Sequence, residues 1–432
     1  MNKSRDITIS FYNVIKTISD SIDLMSNEIT GHHKLVAYIS LRLGLKLNLS
    51  KIELRKLVFS ALIHDIGILY FDKKIDDILE SRTDKEHAYA GYTLLKDYFP
   101  FPGYAEIIKN HHSQWETLEN NRTNFLSNIL NLADLTAFLI DRKEINILYK
   151  SKGIVKELNK YSQSRINPEI LSVMDEIIYQ ESFWLDTISV SNRESIFEEY
   201  ILNNLDTGLT LDEVLKISEI VSRIIDFRSS YTATHSKGAA TVAVELAKAV
   251  GFSKEDTKII EIAGHFHDIG KMILPISLIN KKGKLNKEEW SLMKSHPYYS
   301  YYVLDNIIEL PKLKEWSAYH HEKLDGTGYP FRLDKSKLSI GARIMVVSDI
   351  FTALAEDRPY RPGLDKNNII KILKEEAKNK KIDKRMVSLL TDDFERYNET
   401  RNKKQQKAIL NYNEFKEKIS DELFNIYQSS TA

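Results

Sequence analysis

Along most of the chain apolar residues return every three or four positions, the spacing that lays one face of a helix on a core. The runs IVKELNKY at 154–161 and IIKILKEEAK at 369–378 show it plainly. Helix breakers are scarce, with 16 Gly and 9 Pro in 432 residues, so an almost entirely helical, all-α protein is expected. The most apolar run, FLSNILNLADLTAFLID at 125–141, is interrupted by Asn and Asp well short of a membrane span.

The pattern is written twice. Residues 32–67, HHKLVAYIS…FSALIHDIG, lie over residues 235–270, HSKGAATVA…IAGHFHDIG, without a gap and 203 positions apart. His32 falls on His235, and His64-Asp65 falls on His267-Asp268. The offset then becomes 209, where His87 meets His296 and His111-His112 meets His320-His321. It ends near 215, where LADLTAFL around Asp134 meets VSDIFTAL around Asp349, and INPEILSVM at 166–174 faces IDKRMVSLL at 382–390. A repeat of this length indicates two tandem helical bundle domains. We place them at 1–205 and 206–400, followed by a C-terminal helical tail at 401–432 with a weak apolar stripe.

Composition narrows the chemistry. There is no cysteine, which excludes disulfides, thiolate zinc sites and cysteine nucleophiles. Lys plus Arg equals Asp plus Glu at 61 each, so no overall field draws the chain to a DNA or RNA polymer or to an anionic membrane. The opening MNKSRDITISF lacks the apolar stretch of a signal peptide, and a cytoplasmic protein is expected. Of twelve histidines, ten fall in matched pairs between the repeats, leaving only His33 and His265. A lone histidine on an apolar helix is usually a satisfied core residue; five kept at matched places in each module, with two aspartates, point to metal.

Adjacent residues on a helix point about 100° apart, so His-Asp and His-His pairs suit two neighbouring ions better than one. Imidazole and carboxylate without thiolate suits iron, manganese, nickel or zinc. Two ions about 3.5–4 Å apart can hold a hydroxide and clamp a phosphoryl oxygen for in-line attack. Asp268, beside His267, is the natural bridging carboxylate.

HDIGK at 267–271 and HHEKLDGTGYP at 320–330, with His235, His296 and Asp349 in order around them, closely resemble the HD-GYP group of the HD phosphohydrolase superfamily. The resemblance covers about residues 210–400. It implies an all-helical metal-dependent phosphodiesterase that hydrolyses cyclic di-GMP or 3′,3′ cyclic GMP-AMP to linear dinucleotide, and onward to mononucleotides in some members. It makes His235, His267, Asp268, His296, His320, His321 and Asp349 ligands of two divalent ions, iron or manganese first. Lys271 would hold a phosphate oxygen. In DRPYR at 357–361, Arg358 and Arg361 look like the cations that contact phosphate and guanine. In the loop after the histidine pair, Gly326 and Gly328 permit positive φ and close backbone approach to a ligand. Tyr329 offers a ring or a hydroxyl to substrate, and Pro330 stiffens the exit.

The copies differ in ways that bear on function. The first module keeps a ligand set of His32, His64, Asp65, His87, His111, His112 and Asp134, a second metal site. Its HHSQWETLENN lacks the Gly-Tyr-Pro loop, Ile68 stands in place of Lys271, and no RPYR follows Asp134. Four residues before the first histidine it has Glu28 where the second module has Tyr231. In the family a glutamate there accompanies a third ion and a tyrosine two, so the second module is expected to be binuclear. The first module is expected to be regulatory or metal-binding. Other readings are a phosphohydrolase acting on another nucleotide, which the first module alone would fit, and a cyclic dinucleotide sensor without turnover. By analogy a two-module helical chain of this kind pairs with a copy of itself.

Overall fold

The computed structural model describes residues 7–25, 30–71, 85–97, 100–140, 146–162, 165–227, 234–357 and 362–430. Among the described residues the regular secondary structure is helical, apart from a two-residue antiparallel pairing in which Ile9 faces Leu209 and Ser10 faces Gly208, and an isolated bridge between Asp325 and Asp334. None of its helices is long and apolar enough to cross a membrane.

The repeat seen in the sequence recurs as a repeat of elements. Helix His32–Lys46 corresponds to His235–Val250, and Lys51–Leu62 to Lys254–Phe266. The short 3-10 helix Ile66–Tyr70 corresponds to Ile269–Ile273, and Pro102–Lys109 to Pro311–Ala318. Local chemistry explains the shared boundaries. Ser50 and Ser253, 203 positions apart, each accept a backbone N–H from the third residue of the helix they open, satisfying a donor that has no partner within the helix. Proline begins both Pro102–Lys109 and Pro311–Ala318, where its missing N–H costs nothing.

Two compact units result, Ile18–Thr207 with Lys418–Ala432, and Met1–Thr17 with Gly208–Glu417. The chain start thus groups with the second module rather than the first. Residues 401–430 of the expected tail at 401–432 continue one helix, Phe394–Ser430. Within each unit, a helix that carries candidate ligand residues is largely buried. In His32–Lys46 eleven residues, from His32 to Gly44, are buried. In Ile340–Ala355 the buried set includes Ile344, Met345, Val347, Asp349 and Phe351. Such helices are held by packing on nearly every face, which fixes the side chains they present.

Candidate metal centre

In the second module the ligand candidates sit at helix ends that meet. His235 opens its helix, His267 follows the end of Lys254–Phe266, and Asp268 precedes the 3-10 helix Ile269–Ile273. His296 opens His296–Leu304, His320 and His321 lie in the short turn Tyr319–His321, and Asp349 projects from mid-helix. All are buried except His321, which is half-buried.

Asp268 is the hub. Its Oδ2 lies 3.2 Å from His267 Nε2, and its Oδ1 lies 3.4 Å from His296 Nε2 and 3.8 Å from His320 Nε2. Asp349 Oδ1 is 3.0 Å from His235 Nε2 and 3.9 Å from His267 Nε2, while its Oδ2 is 3.9 Å from His321 Nδ1. Each carboxylate therefore faces two sets of imidazoles, one with each oxygen. Lys271 Nζ donates to Asp268 Oδ2 at 2.5 Å.

Tautomers show that these residues fit a cation. The Nδ1–H groups of His267, His296 and His320 donate to the carbonyls of Gly264, Met293 and Ser317, each three residues earlier, at 2.7–2.8 Å. In the neutral ring that leaves a lone pair on every Nε2. The Nε2 atoms of His296 and His320 nonetheless face one another at 3.2 Å, and His267 Nε2 is buried without a hydrogen bond. Lone pairs converging in a buried space call for a shared cation. Burial, reinforced by the neighbouring imidazoles and opposed by Asp268 and Asp349, brings His296 down to about 3 and His320 to about 4, so both rings are neutral at neutral pH. For His267, burial works downward but Asp268 and Asp349 carry it up. Burial alone would raise Asp268, yet His267 and Lys271 hold it well below the ordinary carboxylate range.

The loop after the histidine pair is pinned beside this cluster. Buried Glu322 accepts the N–H groups of Phe331 at 2.7 Å and Leu333 at 2.9 Å. Gly326 turns the chain at φ 75°, and a Cβ on Gly328 would lie 2.4 Å from both Glu322 Cα and Lys323 N. The Tyr329 ring lies 4.9 Å from that of His321, and half-exposed Trp290 packs edge-on against Tyr329 at 6.0 Å. Arg358, Arg361, Tyr231 and Glu28 lie outside the described residues.

Three supporting residues had no sequence signal. Glu356 Oε2 takes His235 Nδ1 at 2.9 Å; Gln405 Nε2 donates to Glu356 and also to the Thr234 carbonyl, the latter at 3.0 Å. Trp290 lies thirty residues before the loop it contacts. Nothing local to Glu356 or Gln405 marks them, because their role arises only where the long C-terminal helix passes the start of His235–Val250.

The first module repeats the arrangement. His32 Nε2 is 3.0 Å from Asp134 Oδ1, and Asp65 sets Oδ2 3.3 Å from His64 Nε2 and Oδ1 3.3 Å from His87 Nε2. His112 Nε2 and His87 Nε2 stand 3.1 Å apart, and His87 and His111 3.4 Å apart. His111 donates its Nδ1–H to the Ile108 carbonyl, leaving its Nε2 to face inward. Both modules thus hold clusters of His and Asp that could bind metal.

Two helical bundles, each closing matched histidines and aspartates around a buried centre, define a tandem metal-site protein of the HD class. A family model described as an HD domain matches residues 219–386, and another of the same description matches residues 29–144. The chain is 26% identical over 398 residues to the 3′3′-cGAMP-specific phosphodiesterase 1 of Vibrio cholerae, covering 88% of this chain and 91% of that one. It is 37% identical over 145 residues to the cyclic di-GMP phosphodiesterase response regulator RpfG of Xanthomonas campestris, covering 33% of this chain and 38% of the relative. A solved structure of a cyclic GMP-AMP-specific phosphodiesterase of V. cholerae, V-cGAP3, matches with a TM-score of 0.61 at 19% identity, over 89% of this chain and 97% of that one, a likeness of fold. The chain belongs to the HD-GYP family, with two HD modules in tandem.

Proposed function

We propose that the second module, residues 206–400, hydrolyses a phosphodiester bond of a cyclic dinucleotide, cyclic di-GMP or 3′,3′ cyclic GMP-AMP, to a linear dinucleotide. The observation that carries this is Asp268, whose two oxygens face separate imidazole groups while an ammonium sits on one of them. His235, His267 and Asp349 would hold one divalent ion, His296, His320 and His321 the other, with Asp268 between them. Iron or manganese suits such a nitrogen and oxygen set. When bound, the ions supply a nucleophilic water at neutral pH and a clamp on phosphoryl oxygens.

The chain's own groups do the rest. Lys271 neutralises Asp268 in the free protein and is placed to donate to a non-bridging phosphate oxygen as charge builds there. The backbone pins on Glu322 hold Tyr329 over His321, and the Trp290 and Tyr329 rings offer faces for a base to stack on. The burial around Asp268 excludes bulk water and strengthens each of these contacts.

The first module, residues 1–205, retains the ligands but has neither lysine nor Gly-Tyr-Pro loop, and serves as a metal-holding regulatory module. A cytoplasmic location fits an intracellular nucleotide substrate, and pairing with a second copy is checked by light scattering on the same sample. The test is incubation of the full chain, purified anaerobically and loaded with Fe(II) or Mn(II), with each cyclic dinucleotide. Linear product is expected; binding without product selects the sensor reading.

A further inference from the structure

The first module contains a histidine at its centre that the second lacks. His33 corresponds, at the offset of 203, to Ser236, whereas the acid behind it is kept as Asp23 and Asp226. In the second module Ser236 simply donates to Asp226 Oδ1 at 2.8 Å. In the first, the imidazole spans the space: Nδ1 lies 2.6 Å from Asp23 Oδ1, and Nε2 lies 3.5 Å from Asp65 Oδ2. That oxygen also faces His64 Nε2 at 3.3 Å. Its counterpart, Asp268 Oδ2, faces His267 Nε2 and receives the Lys271 ammonium. At the same carboxylate oxygen, one module presents an ammonium and the other an imidazole nitrogen.

The difference is chemical, since an ammonium has no lone pair and an imidazole does. In the neutral ring a proton on Nδ1 directed at Asp23 leaves the lone pair on Nε2, the carboxylate–histidine arrangement that orients metal-binding imidazoles. His33 is fully buried and its Nε2 makes no hydrogen bond. Ligand atoms of His33, His64 and Asp65 all lie within 4.8 Å of one another.

We propose that His33 is a further metal ligand of the first module, closing a coordination position that the second module leaves beside Lys271. This rests on the reading that the first module holds metal. A shell closed by protein ligands is the pattern of a structural ion, whereas a catalytic ion keeps a position for water or substrate. The loss of the lysine and the gain of His33 are then one change: the first centre becomes a fixed part of its bundle, and substrate access is left to the second.

The test uses the full chain loaded anaerobically with Co(II), reading ion release to a chelator and the visible d–d band. Variants are His33→Ser, which installs the second module's residue, Asp23→Asn, and His64→Ala. His33→Ser is expected to speed the release of first-module ion by about tenfold or more and to intensify its d–d band, as fewer ligands do. Asp23→Asn should act in the same direction more weakly. The ions removed by His267→Ala should be released at the wild-type rate in His33→Ser. Where His33→Ser does not fold, His33→Gln, which can still bond Asp23, decides on the same two readouts. If His64→Ala loses an ion while the His33 variants keep the wild-type rate and band, the proposal falls alone. If His64→Ala loses none, the first module holds no metal and the proposal falls with that reading.

Discussion

Glu356 is the sharpest place to perturb the second centre without touching any of its proposed ligands. Its Oε2 accepts from His235 Nδ1 at 2.9 Å, and its side chain is only 10% exposed. That contact fixes the ring so that Nε2 points inward toward Asp349. A hydrogen bond to a charged group contributes about 1.5–3 kcal/mol, and loss of such an outer partner typically costs 10–100-fold in metal affinity. Glu356→Gln keeps an acceptor for the Nδ1–H but loses the charge, so about tenfold weaker binding is expected, about 1.4 kcal/mol. Glu356→Ala removes both and should approach a hundredfold, about 2.7 kcal/mol. Gln405→Ala, which only loosens the carboxylate, should weaken binding less than Glu356→Gln. The assay is competition for Mn(II) against a chelator of known affinity, on full-length variants whose folding is verified by circular dichroism. A folded Glu356→Ala that binds all its ions as tightly as wild type would refute the reasoning.

Gly328→Ala would push a Cβ into the backbone at Glu322 and Lys323, both 2.4 Å away, and should raise KM by an order of magnitude or more while metal content stays unchanged; steady-state kinetics with elemental analysis checks it. Trp290→Ala should raise KM about 5–10-fold with little change in kcat, since a stacked base contributes about 1–3 kcal/mol, and an unchanged KM would remove Trp290 from the substrate surface. His265 is buried against Ser218 Oγ at 2.9 Å, and burial, with Lys237 next, holds it well below its ordinary pKa of 6.5. It takes up a proton only on unfolding, so its contribution is present above the unfolded value and is lost as pH falls beneath it, by up to about 1.4 kcal/mol per pH unit. Urea unfolding between pH 7.5 and 5 should therefore show a shallower acid-side loss for His265→Gln than for wild type.

The helices and the two clusters of His and Asp were legible because they depend on local spacing: a 3.6-residue apolar period and matched histidines in two copies. His33 and His265 also stood out at once as the unpaired histidines, but their roles did not. His265 turns out to be a core residue bonded to Ser218, and His33 a member of the first cluster, and only the approach of Asp23 and Asp65 separates the two cases. Glu356 and Gln405 could not be read for a related reason. Each acts across a long sequence separation, Glu356 on His235 over 121 positions and Gln405 on Thr234 over 171. Packing brings such partners together, and no local pattern encodes it. The module edges shift for the same cause, since the Ile9–Ser10 pairing with Gly208–Leu209 ties the chain start to the second unit.

The account's central claim is that hydrolysis belongs to the second of two similar centres. It is tested most directly by assaying Asp268→Ala and Asp65→Ala side by side with wild type, full length and metal-loaded, on cyclic di-GMP and 3′,3′ cyclic GMP-AMP. The account predicts linear dinucleotide from wild type and from Asp65→Ala, and none from Asp268→Ala. Product from Asp268→Ala at the wild-type rate, or its loss only in Asp65→Ala, would contradict it.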